Sequence, residues 1–204
     1  MPVAIVTGSN KGIGFAIVRA LCKKWEGDVY LTSRDEGRGQ AALETLRQEG
    51  LNPKFHVLDI GNEDTIVKLR DFMKEKYGGI DILVNNAGIA FTLDSTEPIA
   101  VQAAVTLETN YWANKRTSHI LFPILNPGAR VVNVSSSLGF LGHLTDRAAP
   151  ENKSKAEELT RLLSSPDLSE AELDRLMTDF VTSAATGDYQ AHGWLKATNE
   201  QETK

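Results

Sequence analysis

A compact β-branched run, Val3 to Thr7, breaks at Gly8 and gives way after Gly12 and Gly14 to a helical pattern. A strand that passes through a glycine-rich turn straight into a helix must send that helix back across a sheet, so the next strand lies parallel to the first. From Ile13 to Lys24 the residues Ile13, Ala16, Ile17, Ala20 and Leu21 recur at helical spacing and form the expected inward face. The alternation then repeats. Val29–Thr32, Phe55–Leu58, Ile82–Asn85 and Arg130–Val134 are the further expected strands. Between them lies a helix from Gln40 to Glu49, with Ala42, Leu43 and Leu46 inward and Gly50 as its stop. A second runs from the N-cap Asn62, with Glu63 and Asp64 in its first turn, to Gly78-Gly79. A long helical stretch follows from Pro98 to about Phe122, broken once. Strands apolar throughout and separated by helices specify an α/β fold, a doubly wound parallel sheet of Rossmann type covered on both faces.

After Ser137 the character changes. Residues 138–204 carry no strand pattern. Glu151–Leu163 is an expected charged helix, and Ser169 with Glu172 forms a capping box ahead of a stripe of Leu173, Leu176, Met177, Phe180 and Val181. That stripe is expected to be a packing face. The domain reading is one dinucleotide-binding domain over residues 1–194, with 138–188 as a helical insertion and 195–204 as a polar, frayed tail.

A hydrophobic fraction of 41%, a charged fraction of 24% and a net charge of −5 describe an ordinary globular chain. They argue against a nucleic-acid or polybasic membrane binder, which needs a basic excess. Cys22 is the single cysteine, so one chain can build neither a disulfide nor a cysteine zinc site. His56, His119, His143 and His192 show no metal-ligand spacing, and no metal is expected. Without a charged leader or an apolar run of about 20 residues, the expected location is the cytoplasm.

Glycines between a strand and a helix let a backbone approach a pyrophosphate, which then rests on the unpaired N–H groups of the helix. The spacing Gly8-x-x-x-Gly12-x-Gly14 resembles that of the short-chain dehydrogenases/reductases, and further motifs agree. Asp59 follows the third strand. Asn85-Asn86-Ala87-Gly88 ends the fourth. Asn110 lies in Glu108-Thr109-Asn110, and Ser136 ends Val132-Asn133-Val134-Ser135-Ser136. Asn10-Lys11-Gly12-Ile13-Gly14, Arg38-Gly39-Gln40-Ala41-Ala42 and Tyr77-Gly78-Gly79 look like the carbonyl reductase branch. The resemblance implies cofactor contacts at Gly8, Asn10, Lys11, Gly12, Ile13, Gly14, Arg34, Asp59, Ile60, Asn86, Ala87 and Gly88. It also implies a carbonyl-binding Ser136, an Asn110 supporting a proton relay, a small-molecule carbonyl substrate and a branch that favours monomers. An NAD site places an acid just after the second strand, whereas a 2′-phosphate needs cations. Here Ser33 stands where the acid would be, followed by Arg34 and by Asp35 as a competing acid; Arg34 with Lys11 points to NADP(H).

The family's reaction also uses a Tyr-x-x-x-Lys pair after the fifth strand. No such pair follows Ser136: the chain continues through Gly193-Trp194 to Lys204 without it. Tyr111-Trp112-Ala113-Asn114-Lys115 has the spacing but precedes the fifth strand. The expectation is therefore a chain truncated before its catalytic Tyr and Lys, such as a shortened isoform, weak or inactive as a reductase alone. The missing part would leave the sheet incomplete on the C-terminal side, with the fifth strand as an edge open to a partner. Two other readings stay open: a non-catalytic dinucleotide-binding or interaction module, and a chain that does not fold stably.

Overall fold

The structure, a computed structural model, describes residues 1–92 and 94–194. The tail expected at 195–204 lies outside the described residues. Five strands, β1 (Val3–Val6), β2 (Asp28–Ser33), β3 (Lys54–Val57), β4 (Ile80–Asn85) and β5 (Leu125–Asn133), form one parallel sheet in the order β3-β2-β1-β4-β5. The chain winds outward from β1 through β2 to β3, then crosses back to place β4 on the other side of β1. That reversal opens a crevice beyond the carboxyl ends of β1 and β4, where doubly wound folds bind their ligands.

Side-chain alternation sorts the core onto two faces. Val3, Ile5, Tyr30 and Leu83 point to one side, where α3 (Glu63–Tyr77) and α5 (Asn114–Leu121) supply Leu69, Met73 and Leu121. Ala4, Val6, Val29, Leu31 and Val84 point to the other, against α1 (Gly12–Lys24) and α2 (Glu36–Gln48), which supply Val18, Ala42 and Leu46. Central β1 is buried on both faces, which is why it is apolar throughout.

Four expectations need correction. Helix α2 starts at Glu36 rather than Gln40, because Asp35 caps it: the Asp35 carboxylate accepts from the Arg38 N–H at 2.7 Å. Strand β5 starts at Leu125 rather than Arg130, through Pro127 and Gly128. A register shift between Ile80 and Ile82 accommodates that stretch, since a bulge tolerates a residue with no N–H to give. The stretch expected as one broken helix is α4 (Ile99–Leu107), a π turn (Glu108–Ala113) and α5. Of the residues expected inward on α1, Ile13 is 65% exposed and Ala16 and Ala20 are exposed too; Gly14 and Val18 are the buried ones, with Ile17 and Leu21 partly buried. Asn62 does cap α3, accepting from the Asp64 N–H at 3.1 Å, and Gly78 ends that helix at φ +79°. Among the described residues β5 pairs on one side only, and Val132 on it is 48% exposed.

The described residues group into two compact units, Met1–Ile89 with Glu108–Val134, and Ala90–Leu107 with the residues from Ser135 on. The first holds the sheet. The second is helical: α6 (Gly142–Asp146) packs on α7 (Lys153–Leu163), and α4 packs on α8 (Glu170–Thr186). The Ser169–Glu172 capping box opens α8, and Leu176 from its stripe joins Leu144 and Leu159 in a small core. Behind α8 the chain is clasped by one carboxylate. Asp179 takes Trp194 Nε1–H at 3.0 Å on one oxygen, and His192 Nδ1 lies 2.8 Å from the other. Asp188 faces His192 Nε2 at 3.5 Å.

The hydrogen bond to Asp179 raises the His192 pKa, and the Asp188 charge adds to it. A group whose folded pKa is raised stabilises below its unfolded value and loses that contribution as pH rises through the folded one. Between about pH 6 and pH 8 the chain should therefore lose more stability than a His192→Gln variant. Urea titrations across that range check this, and parallel losses in the two proteins would refute it.

Candidate functional site

The turn after β1 is built by side chains reaching back to the sheet. Ser9 is buried; its hydroxyl donates to Val6 O at 2.7 Å and accepts from Thr32 N–H at 2.9 Å. The Ser9 N–H in turn donates to Thr32 O at 2.8 Å. Gly8 holds φ +59°, a conformation that favours glycine. A Cβ on Gly14 would lie 2.4 Å from Asn86 Nδ2, so only glycine lets α1 approach the β4 end this closely. The N-cap of α1 is Lys11, whose side chain makes no capping bond, and the first turn carries no acid. The N–H groups and positive end of the helix are left for an outside anion.

Opposite this turn runs Asn86–Ile89, which is neither strand nor helix. Its backbone is held by side chains from three elements. Thr7, buried at the end of β1, accepts from both Asn86 N–H and Ala87 N–H at 2.9 Å. Asn114 donates to Ala87 O at 3.1 Å. Asn110, in the π turn, closes a two-point clamp on Ile89: its Oδ1 accepts from Ile89 N–H and its Nδ2 donates to Ile89 O, both at 2.8 Å. Asn86 then reaches across to the glycine turn, donating to Thr7 O at 2.9 Å and Gly8 O at 3.1 Å.

Between turn and segment lies a hollow of about 420 Å³. Every residue expected to contact a cofactor lines it except Gly14, which packs behind it on Asn86. Asp59 and Ile60 form one wall, in a loop fixed by Thr65: the Asp59 N–H donates to the Thr65 hydroxyl at 3.0 Å, and that hydroxyl donates to Asp59 O at 2.7 Å. Ser33, Arg34, Arg38 and Lys11 gather at the end near β2. Asp35, next to Arg34 in the chain, is otherwise engaged. It spends its carboxylate on the Arg38 N–H and faces the Arg38 guanidinium at 3.5 Å. The Arg38 backbone bond leads in holding its pKa down.

Sequence reasoning missed several residues. Arg38 lines the hollow from the first turn of α2, and Ile89 and Thr109 line it as well. The available signal for Arg38 was a second arginine three residues after Asp35, where a capping acid puts it in the first turn of a helix beside the strand end. Thr7 and Asn114 act through backbone contacts that carry no sequence mark. Of the expected catalytic residues, Asn110 has its side chain occupied by Ile89. Ser136 lies in the second unit, where its hydroxyl caps a single turn by accepting from Leu138 N–H at 3.1 Å. The Tyr111–Lys115 pair lies away from the hollow. Tyr111 packs edge-on against Trp112 at 4.6 Å, and Lys115 lies over that indole at 5.7 Å. Among the described residues no group of three His, Cys, Asp or Glu side chains could hold a metal, and no helix is long and apolar enough to cross a membrane.

Replacing Thr7 with Val keeps the shape but strips both N–H groups of their acceptor, at about 1–3 kcal/mol for each orphaned group. Urea unfolding should show a loss of about 2–6 kcal/mol for the two groups together; a change under about 0.5 kcal/mol would mean the hydroxyl does not hold the segment.

The short chain dehydrogenase family model matches residues 2–163. Among curated proteins the chain is 50% identical over 192 residues to carbonyl reductase (NADPH) 3 of Rattus norvegicus, covering 94% of this chain and 66% of that one. It is 49% identical over 193 residues to carbonyl reductase (NADPH) 1 of the same organism, covering 95% and 66%. Two solved structures are each 30% identical with a TM-score of 0.80. Menthone neomenthol reductase from Mentha piperita covers 97% of this chain and 79% of its own; salutaridine reductase from Papaver somniferum covers 98% and 76%. The chain thus spans just under two thirds of the length of the curated relatives it matches. With the glycine turn, the Asn-Asn-Ala-Gly segment and the switch-point hollow all in one unit, the chain belongs to the short chain dehydrogenase family.

Proposed function

We propose that the hollow binds NADP(H) and that the chain represents the dinucleotide-binding part of a reductase acting on small carbonyl compounds such as ketones, aldehydes and quinones. The observation that carries this reading is the cationic end of the hollow. Arg34, Arg38 and Lys11 converge where a 2′-phosphate would lie, Ser33 leaves that position without an acid, and Asp35 is committed to its helix cap. The rest of the site suits the dinucleotide. The uncapped α1 N-terminus is suited to an anion, and the Asn86–Ile89 wall is held by the protein's own side chains.

The reduced nicotinamide, when bound, supplies a hydride to the carbonyl carbon. The Ser136 hydroxyl would hydrogen-bond the carbonyl oxygen. Asn110 contributes by holding Ile89. Within these 204 residues no Tyr-x-x-x-Lys follows Ser136. For the polypeptide of these residues, NADPH oxidation with a quinone should run about 10²–10⁴-fold below that of a carbonyl reductase carrying the pair. Parity between the two would overturn the role given to the pair. A second reading, a dinucleotide-binding module that meets a partner through β5, is favoured by the edge position and exposed Val132 of that strand. The lone, half-buried Cys22 and the absence of any helix able to cross a membrane among the described residues support a cytoplasmic location.

A melt with and without nucleotide tests the binding claim. NADPH at 100 times its Kd should stabilise the chain by about 2.7 kcal/mol, with NADH giving less at equal concentration. Arg38→Ala keeps the backbone cap yet removes the guanidinium, and should weaken NADPH binding about 10- to 100-fold while leaving NADH unchanged. Equal effects on the two nucleotides would overturn the phosphate assignment.

A further inference from the structure

Asn114 touches none of the hollow, yet it holds two residues that line it. Its Nδ2 lies 3.1 Å from Ala87 O, 3.1 Å from Thr109 O and 3.3 Å from Asn110 O. Two N–H bonds thus serve three carbonyls drawn from two separate parts of the chain. The position matters: Asn114 is the first residue of α5, where the π turn Glu108–Ala113 returns to α-helical winding. A π turn widens the helix and disturbs its carbonyl ladder, and such turns recur at functional sites. Here the Asn114 amide takes up carbonyls on that turn and spends its remaining capacity on Ala87.

Ala87 is therefore gripped at both ends of its peptide, by the Thr7 hydroxyl at N–H and by Asn114 at C=O. It also abuts the glycine turn, since a Cβ on Gly8 would meet Ala87 Cα at 2.9 Å. Thr109 lines the hollow directly. A hydrophobic side chain at 114 would take one partner from each of these carbonyls together, and an acid would set a carboxylate against three carbonyl oxygens.

We propose that Asn114 is a positioning residue for the bound dinucleotide: by joining the π turn to Ala87 it sets the wall that receives the half of the ligand remote from Arg34 and Arg38. This rests on the NADP(H) reading above. The two halves of the hollow separate the effects. Asn114 acts on the Ala87–Thr109 end, whereas a 2′-phosphate and its adenosine belong to the Arg34–Arg38 end.

The test is calorimetric binding of NADPH and of adenosine 2′-monophosphate to the unsubstituted chain, Asn114→Ala and Asn114→Thr. The threonine variant protects the helix, because a hydroxyl there can bond its own i−4 carbonyl as Thr117 does to Ala113 O at 2.8 Å, while losing Ala87. The expected result is NADPH bound about tenfold more weakly by both variants, with adenosine 2′-monophosphate unchanged within about twofold. If Asn114→Ala does not fold, Asn114→Thr decides. Loss of both ligands in parallel, or of neither, would overturn the positioning role. Failure of the unsubstituted chain to bind either ligand would instead overturn the dinucleotide reading on which it rests.

Discussion

Backbone polar groups outside strands and helices must find partners elsewhere, and in this chain that requirement is concentrated on Asn86–Ile89. The segment leaves β4 at the switch point, where the sheet offers no further ladder. Three side chains take its place: Thr7 from the end of β1, Asn110 from the π turn and Asn114 from α5. Asn86 completes the circuit by bonding the glycine turn. The hollow is the space these bonds keep open. Loosening one member leaves polar groups unpaired near the core and shifts a wall of the site, so stability and binding are coupled through the same atoms.

How much of this could be read beforehand depended on periodicity. The β1–turn–α1 unit was legible because a β-branched run, two glycines and a helical pattern follow one another without interruption. Asn62 and the Ser169–Glu172 box were legible because capping is a local rule with a local signature. The π turn was not, since it shifts the helical phase by one residue and looks like a weak break. The first half of β5 hid behind Pro127 and Gly128, which mark a turn unless a bulge is already in place. Ile13 misled for a different reason: its spacing is that of a core residue, but its place at the mouth of the hollow leaves it exposed.

Charge was the least legible layer. Asp35 beside Arg34 looked like an acid in competition with a phosphate. Its backbone, at φ −106° and ψ +118°, makes it a helix cap instead and turns its carboxylate to Arg38. The same interaction anchors the first turn of α2 and places Arg38 at the hollow. The physical reason for a cationic end is visible in these few contacts.

The central claim is that one hollow at the β1–β4 switch point receives a phosphorylated dinucleotide. The most direct measurement is an amide NMR titration of the isotopically labelled chain with NADPH. The account predicts shifts concentrated in the Gly8–Gly14 turn, at Ser33–Arg38, at Asp59–Ile60 and along Asn86–Ile89. No shifts, or shifts centred on the second unit around Arg175 and His192, would contradict it.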